Sequence, residues 1–229
     1  MKWLQQSGRT VVLAVQAEEV YLYRNAYPWA DVMYLPDSYK HHIGKIRRFI
    51  WDTIKEPFFW VDDDIRVYLK TVGTYREMFD RLQMHLESGV AMAGIGQQLF
   101  CNMQNKTTVN GDPEVVQNKF VSICYAIDPK YFETCPVEEL MIYDDVAIVI
   151  HAIQRAGTIA TYCATQANLT PPTGGCNSWR TKDIIIQDLH KIVELYPDIC
   201  SIRPTSNTTH SQYIGIGLRT AWSKIRKVS

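Results

Sequence analysis

Phe58-Phe59-Trp60-Val61-Asp62-Asp63-Asp64-Ile65 decides how this chain is read: four large apolar residues run straight into three carboxylates. An unbroken apolar run predicts a strand buried on both faces, with the acids where that strand leaves the core. Three adjacent like charges stay ionised cheaply only if they are solvated, paired with cations or holding a metal. With the period of two carried into the acids, Asp62 and Asp64 point to one side and Asp63 to the other. Hard oxygen ligands in such a pair suit Mg or Mn, which bridge protein to phosphate oxygens. A solvated strand-to-turn junction is the plainer alternative.

Just upstream, Ile43, Ile46, Ile50, Trp51 and Ile54 recur between His42 and Lys55 at the spacing of an amphipathic helix laid on a sheet. At 100° per residue Arg47 falls inside the apolar arc, between Ile43 and Ile50, while Lys45 and Arg48 point away. An inward arginine either snorkels to the helix edge or pairs with a carboxylate or phosphate. Further back, the β-branched run Thr10-Val11-Val12-Leu13-Ala14-Val15 reaches a polar break at Gln16. A short helix from about Ala17 to Arg24 and a strand from Asp31 to Leu35 complete a strand-helix-strand unit closed by Pro36. The alternation predicts a parallel sheet.

Downstream, Thr74 and Glu77 form a capping box that opens a helix with Tyr75, Met78, Phe79, Leu82 and Leu86 on one face. Gly89 ends it, and Val90 to Gly96 is the next strand, with glycines where something approaches the backbone closely. Gln97 to Asn118 turns polar and reads as a long functional or mobile loop. Phe120 to Ile127 returns to the sheet. Tyr143 to Gly157 carries the marks of a buried helix: an acidic start at Asp144-Asp145, Arg155 in the last turn and Gly157 beyond it. The two acids serve either as cap and dipole partner or as groups facing the same pocket as Asp62 to Asp64. A strand over Thr158–Cys163, a Pro/Gly-rich loop, a helix from about Thr181 to Tyr196 and a last strand near Ile199–Arg203 follow. His210 lies in a polar loop, where a histidine is ordinarily solvated and otherwise a ligand.

The 229 residues suit one domain with a full core, and 46% hydrophobic with 21% charged residues is ordinary for a globular protein. Lys plus Arg balances Asp plus Glu at 24 each, so any polyanion is met by a local patch rather than a global field. The six cysteines include no CxxC pair, which favours free thiols in a reducing compartment. Met1 to Ser7 lacks the apolar core of a signal peptide and no stretch approaches membrane-spanning length. The expected location is therefore cytoplasmic, without a membrane partner.

In its order of elements, with "FFWVDDDI", the inward-arginine helix before it, "YDDVAIVIHAIQRAG" and a late loop histidine, the chain resembles glycosyltransferases of the GT-A fold. It looks most like the TET/JBP-associated glycosyltransferases of phages with hypermodified DNA, relatives of the base J glucosyltransferase. The resemblance spans about Thr10 to His210. It implies a single α/β, Rossmann-like domain over 1–229 with a mostly parallel central sheet flanked by helices. About 10–100 would bind the nucleotide-sugar and about 101–229 the acceptor. Asp62 and Asp64 stand where the DxD acids hold the divalent ion, Mn or Mg, and the donor ribose, with Asp64 the direct ligand and Asp63 beside them. The resemblance also makes His210 a metal or pyrophosphate contact, puts Gln16 near the donor base and Arg47 near the pyrophosphate or the DxD acids. Asp145, or Asp144, would meet the acceptor; many relatives have Glu-Asp there, so which of the two does so stays open.

The activity implied is transfer of a sugar from a nucleotide donor, UDP foremost, to a hydroxymethylated pyrimidine in phage DNA such as 5-hydroxymethylcytosine, or to a sugar already on it. Whether the enzyme inverts or retains is open. Arg203, Arg219, Lys224 and Arg226 are candidates for an acceptor-side basic patch, and Phe100 and Trp179 for stacking on an extruded base, unless they simply pack. Two rivals keep parts of this chemistry: nucleotidyl or phosphoryl transfer at the same carboxylates, and a glycosyltransferase with a non-DNA acceptor. A third is a non-catalytic α/β binding module. No GxxxxGK[ST] loop is present, which disfavours a P-loop enzyme.

Overall fold

The chain alternates strand and helix from its start: α1 (Lys2–Gln6), β1 (Val12–Gln16), α2 (Val20–Ala26), β2 (Asp31–Leu35), α3 (Ile43–Ile54), β3 (Phe58–Val61), β4 (Ile65–Leu69), α4 (Tyr75–Glu87) and β5 (Met92–Ile95). It continues with β6 (Thr108–Val109), β7 (Asp112–Gln117), β8 (Cys124–Ile127), α5 (Asp144–Arg155), β9 (Thr158–Thr161), β10 (Ala164–Asn168), α6 (Lys182–Leu195), β11 (Cys200–Pro204) and β12 (Ile216–Thr220). This computed structural model describes residues 2–96, 108–109, 112–168, 179–205 and 215–225.

The main sheet has six strands in the order β3-β8-β5-β9-β7-β6. The sequence led us to expect a mostly parallel sheet, and the sheet is instead mixed. Only β5 and β9 pair in parallel; β3–β8, β5–β8, β7–β9 and β6–β7 are antiparallel. The cause lies in how each strand is fed. The strands β3, β5 and β9 each follow a helix and run in one direction, as crossover connections require. The intervening β8 and β7 run the other way, and no helix separates β6, β7 and β8 among the described residues. Part of the stretch read as a long polar loop is in fact β7, paired with β9 from Val115 to Gln117. Among the described residues three two-stranded pairs accompany it: β1 with β2 in parallel, and β4 with β10 and β11 with β12 antiparallel.

Burial on both faces belongs to β8 rather than β3. Each β8 residue is at most 2% exposed, and its side chains alternate between two cores as a strand's period of two demands. Tyr125 and Ile127 join Trp51, Phe132, Ile148 and Val149 beneath α3 and α5. Cys124 and Ala126 join Met78, Phe79 and Leu82 beneath α4. The strand β3 lies at the sheet edge, and its four residues are all half-buried.

Two glycines set close approaches that position the site. A Cβ on Gly44 would lie 1.9 Å from the Val137 carbonyl oxygen and 2.3 Å from that of Leu140, so only glycine lets α3 dock on this segment. Gly94 pairs with Tyr125 in the ladder, and a Cβ there would come within 2.9 Å of the Tyr125 Cβ. Arg48, expected to point away from the protein, instead reinforces the α3 docking. It donates to Glu138 Oε2 at 2.8 Å and to the carbonyls of Phe132 and Cys135 at 3.1 and 2.5 Å. Among the described residues no helix is long and apolar enough to cross a membrane.

Candidate active site

Docked this way, α3 turns Gly44, Arg47, Ile50 and Trp51 inward, and the buried Arg47 becomes the centre of a polar cluster. Its Nε donates to the buried Asp144 at the start of α5, and its Nη1 donates to the Tyr125 hydroxyl on β8. Its guanidinium lies 4.4 Å from the centroid of the Trp60 ring on β3, a cation–π contact strengthened by the burial of Arg47. Trp60 and Tyr125 are register partners with nearly parallel rings, 7° apart. The Trp60 indole N–H then donates to Asp62 Oδ1 at 2.7 Å. One buried cation thus links both acidic motifs, directly to Asp144 and through an aromatic ring to Asp62. Burial opposes the Arg47 charge, but Tyr125, Asp144, Asp62 and Asp145 outweigh it and raise its pKa.

The three acids occupy a turn between β3 and β4 rather than an extension of the strand. Even so, Asp62 and Asp64 are half-buried and Asp63 is exposed. The Asp62 N–H donates to the Ile123 carbonyl at 2.9 Å. Ile123 holds a φ of 61°, a left-handed conformation that is costly for a β-branched residue. Burial holds Asp62 above the usual carboxylate range; Arg47 and the Trp60 hydrogen bond pull it down, while Asp64 and Asp144 push it up. Asp64 is raised by burial and then by Asp63. Asp63 also raises the partly buried Tyr23 of α2, after burial itself, so its charge is felt on the α2 side of the turn.

The two acids that open α5 are held differently. Asp144 is 3% exposed and bound to Arg47. Asp145 keeps part of its surface open and accepts from the Val146 N–H at 2.7 Å. Its carboxyl is pushed up to about 7 by burial and by Asp144, against the pull of Arg47 and the Val146 amide, with Asp62 adding to the rise. A carboxyl poised near neutrality and reachable by solvent can exchange a proton with a hydroxyl at physiological pH. Asp144, tied to a buried guanidinium, is an anchor.

Gln16 ends β1 with its Oε1 buried and, among the described residues, without a hydrogen-bond partner. Trp179 lies 5.6 Å from His41, just before α3, and the Arg180 guanidinium sits 5.5 Å from the Trp179 ring. His210, Phe100 and Arg226 lie outside the described residues. Among those that are described, no three His, Cys, Asp or Glu side chains converge as a ready metal cage. The acids still suit a hard cation: both members of the Asp62–Asp64 pair are oxygen ligands, burial raises the cost of ionising each, and Trp60 occupies only one oxygen of Asp62. Sequence reasoning missed Trp60 and Tyr125 as parts of this cluster. A polar-tipped aromatic between apolar neighbours leaves no mark in a hydrophobic run.

A mixed α/β protein that gathers three carboxylates of two separate motifs around one buried arginine, with one carboxyl poised near neutrality, has the make-up of a group-transfer enzyme. The chain belongs to the TET-Associated Glycosyltransferase family, whose model matches residues 1–163. It is a glycosyltransferase. The matched segment holds the Asp62–Asp64 turn, Arg47 and the Asp144–Asp145 pair. No curated protein matches the chain.

Proposed function

We propose that the protein is a metal-dependent GT-A glycosyltransferase that moves a sugar from a UDP-sugar to a hydroxymethylated pyrimidine, or a sugar on it, in phage DNA. The observation that carries the site is the Arg47 cluster, which draws Asp62 and Asp144 into one electrostatic unit and leaves Asp145 open with its carboxyl near 7. Asp62 and Asp64 would hold a divalent ion, Mn or Mg, with Asp64 the direct ligand and His210 a further contact. Bound there, the ion would offset the negative charge that builds on the departing nucleoside diphosphate. Asp63, directed to the other side, would stand next to the ribose or in solvent. The orphaned Gln16 Oε1 supports a place for the donor base, since a buried acceptor oxygen needs an N–H and a pyrimidine carries one.

At the acceptor, Asp145 takes the proton of the attacking hydroxyl if the sugar is inverted, and orients that hydroxyl if it is retained. Asp144 and Arg47 fix the helix end that bears it. Arg203 and Arg219 are exposed on β11 and β12, and their register (Arg203 opposite Gly217, Ser201 opposite Arg219) makes them diagonal neighbours on one sheet face. That pair supports a contact to a phosphate backbone. The acceptor class itself rests on the family resemblance and not on the neutral net charge.

The direct test incubates the protein with UDP-glucose and a panel of other sugar nucleotides, Mn or Mg, and DNA bearing 5-hydroxymethylcytosine. Nucleotide release and the mass of the digested nucleosides report transfer. Added hexose or pentose mass on the base is the expected result; no transfer and no donor hydrolysis across the panel would overturn the proposal. For the metal, UDP plus Mn should raise the melting temperature through ligand linkage. Asp64→Asn is expected to abolish that rise and Asp63→Asn to leave it nearly intact. Equal rises in both variants would remove Asp64 from the site.

A further inference from the structure

The helix α6 carries an acid on its apolar stripe. Asp188 lies three residues after Ile185 and four before Ile192, and beside Leu189, so its helical phase is inward. It is 5% exposed. Backbone amides satisfy it: its Oδ1 accepts from the Met141 N–H at 2.7 Å, and its Oδ2 from the N–H groups of Ile142 and Tyr143 at 2.7 and 2.8 Å. These are the three residues immediately before Asp144-Asp145.

Three consecutive amides converging on one carboxylate fix three peptide planes. Tyr143, the residue that caps α5, makes no side-chain capping bond of its own. The direction in which α5 begins, and hence the aim of its first two acids, is therefore set by the end of a clamped segment. Two fixings act on that helix start: Arg47 holds the Asp144 side chain, and Asp188 holds the backbone ahead of it. Asp145, which has no such side-chain anchor, takes its place from the backbone.

We propose that Asp188 is a positioning residue that holds Asp145 in place by clamping residues 141–143. The proposal rests on the reading of Asp145 as the group that meets the acceptor. It also assigns a task to the part of the chain beyond the family match, which ends at residue 163. The core that joins α6 to α5 reaches well beyond the clamp, because Leu140, Ala147 and Ile150 pack with Ile192 and Tyr196, and of the clamped residues only Tyr143 lies against it. Loss of the clamp should leave the two helices together.

Asp188→Asn tests this. One carbonyl oxygen remains, and the new NH2 group faces amide N–H groups that it cannot satisfy. Two readouts use the free, metal-stripped protein. Hydrogen exchange of the amides of 141–143 is expected to speed at least tenfold, while exchange in the α6 core changes little. In the wild-type background Asp145→Asn should raise the melting temperature at pH 8, because it relieves a carboxylate crowded by Asp144 and Asp62; in the Asp188→Asn background that gain should vanish, because a released Asp145 is already solvated. Leu189→Ala serves as a purely structural control: it should lower the melting temperature yet preserve both the slow exchange and the gain from Asp145→Asn. Unchanged exchange at 141–143, or an equal gain in both backgrounds, would overturn the proposal. Since neither readout involves donor or acceptor, a failure of sugar transfer would sink the functional reading and leave this one standing or falling by itself.

Discussion

Asp145→Asn is expected to cost at least a hundredfold in sugar transfer and at the same time to make the free protein more stable at pH 8. The first effect is the usual contribution of a positioned acid or base, ~10²–10⁴-fold. The second follows from linkage. Burial and Asp144 push the Asp145 carboxyl up to about 7 in the folded protein, well above the value of an unfolded aspartate. Between those values the folded state holds a proton that the unfolded state has lost. Stability therefore falls as pH rises from the unfolded pKa through 7, and the full penalty stands above it. Asparagine removes the penalty and keeps an oxygen for the Val146 N–H, so the gain at pH 8 should be on the order of 4 kcal/mol and should fade toward pH 4. Melting curves of the metal-free variant and wild type at pH 8, 6 and 4 measure it. A pH-independent difference would show that Asp145 does not titrate as argued. In wild type, transfer should climb with pH through about 7 and level off, as a base of that strength requires.

Such opposition between stability and activity marks groups kept for chemistry. It also separates Asp145 from Asp144, which the sequence could not do. Adjacent acids at a helix start look alike in a sequence; they differ here because a guanidinium from another helix reaches one and not the other.

What was legible in the sequence was periodicity, and what was not was pairing. The 3.6-residue phase put Arg47 in the apolar arc of α3, and the side chain is buried there. The same rule applied to α6 would have singled out Asp188 among Ile185, Leu189 and Ile192, but that stripe was read for its apolar members alone. Strand existence was readable where β-branched residues cluster, as in the Thr10-Val11-Val12 run that leads into β1. It was missed at β10, whose Ala164-Thr165-Gln166-Ala167-Asn168 has little strand character and is formed by pairing with β4. The direction of β8 left no trace, because four apolar residues look the same whether the strand runs up or down. With β7, which also runs the other way, it turned the expected parallel sheet into a mixed one. Likewise β3 looked doubly buried by composition, yet it sits at an edge, and its large side chains include the ring that covers Arg47.

Replacing Arg47 by Met should be the most destabilising single change in the site, by ~3–5 kcal/mol, the range for leaving one member of a buried ion pair without its partner. Met fills a similar length of apolar space, so lost volume contributes little. The loss comes from what remains: Asp144, 3% exposed, the Tyr125 hydroxyl beneath it and the face of Trp60, all arranged for a cation. With the guanidinium gone, Asp62 and Asp145 also lose the charge that pulls their carboxyls down. The deficit should therefore shrink at low pH, where protonation of Asp62 and Asp145 removes their charges, and be greatest above neutrality. Urea unfolding at pH 5 and 8 gives both values. The double variant Arg47→Met/Asp144→Leu should recover much of the loss, because an apolar pair replaces a buried ion pair at little cost. It should not recover transfer: Asp62 loses the cation across the Trp60 ring, and α5 loses the tether at its first residue. A double variant as unstable as Arg47→Met alone would mean that Tyr125 and Trp60, rather than Asp144, are what the arginine holds in place.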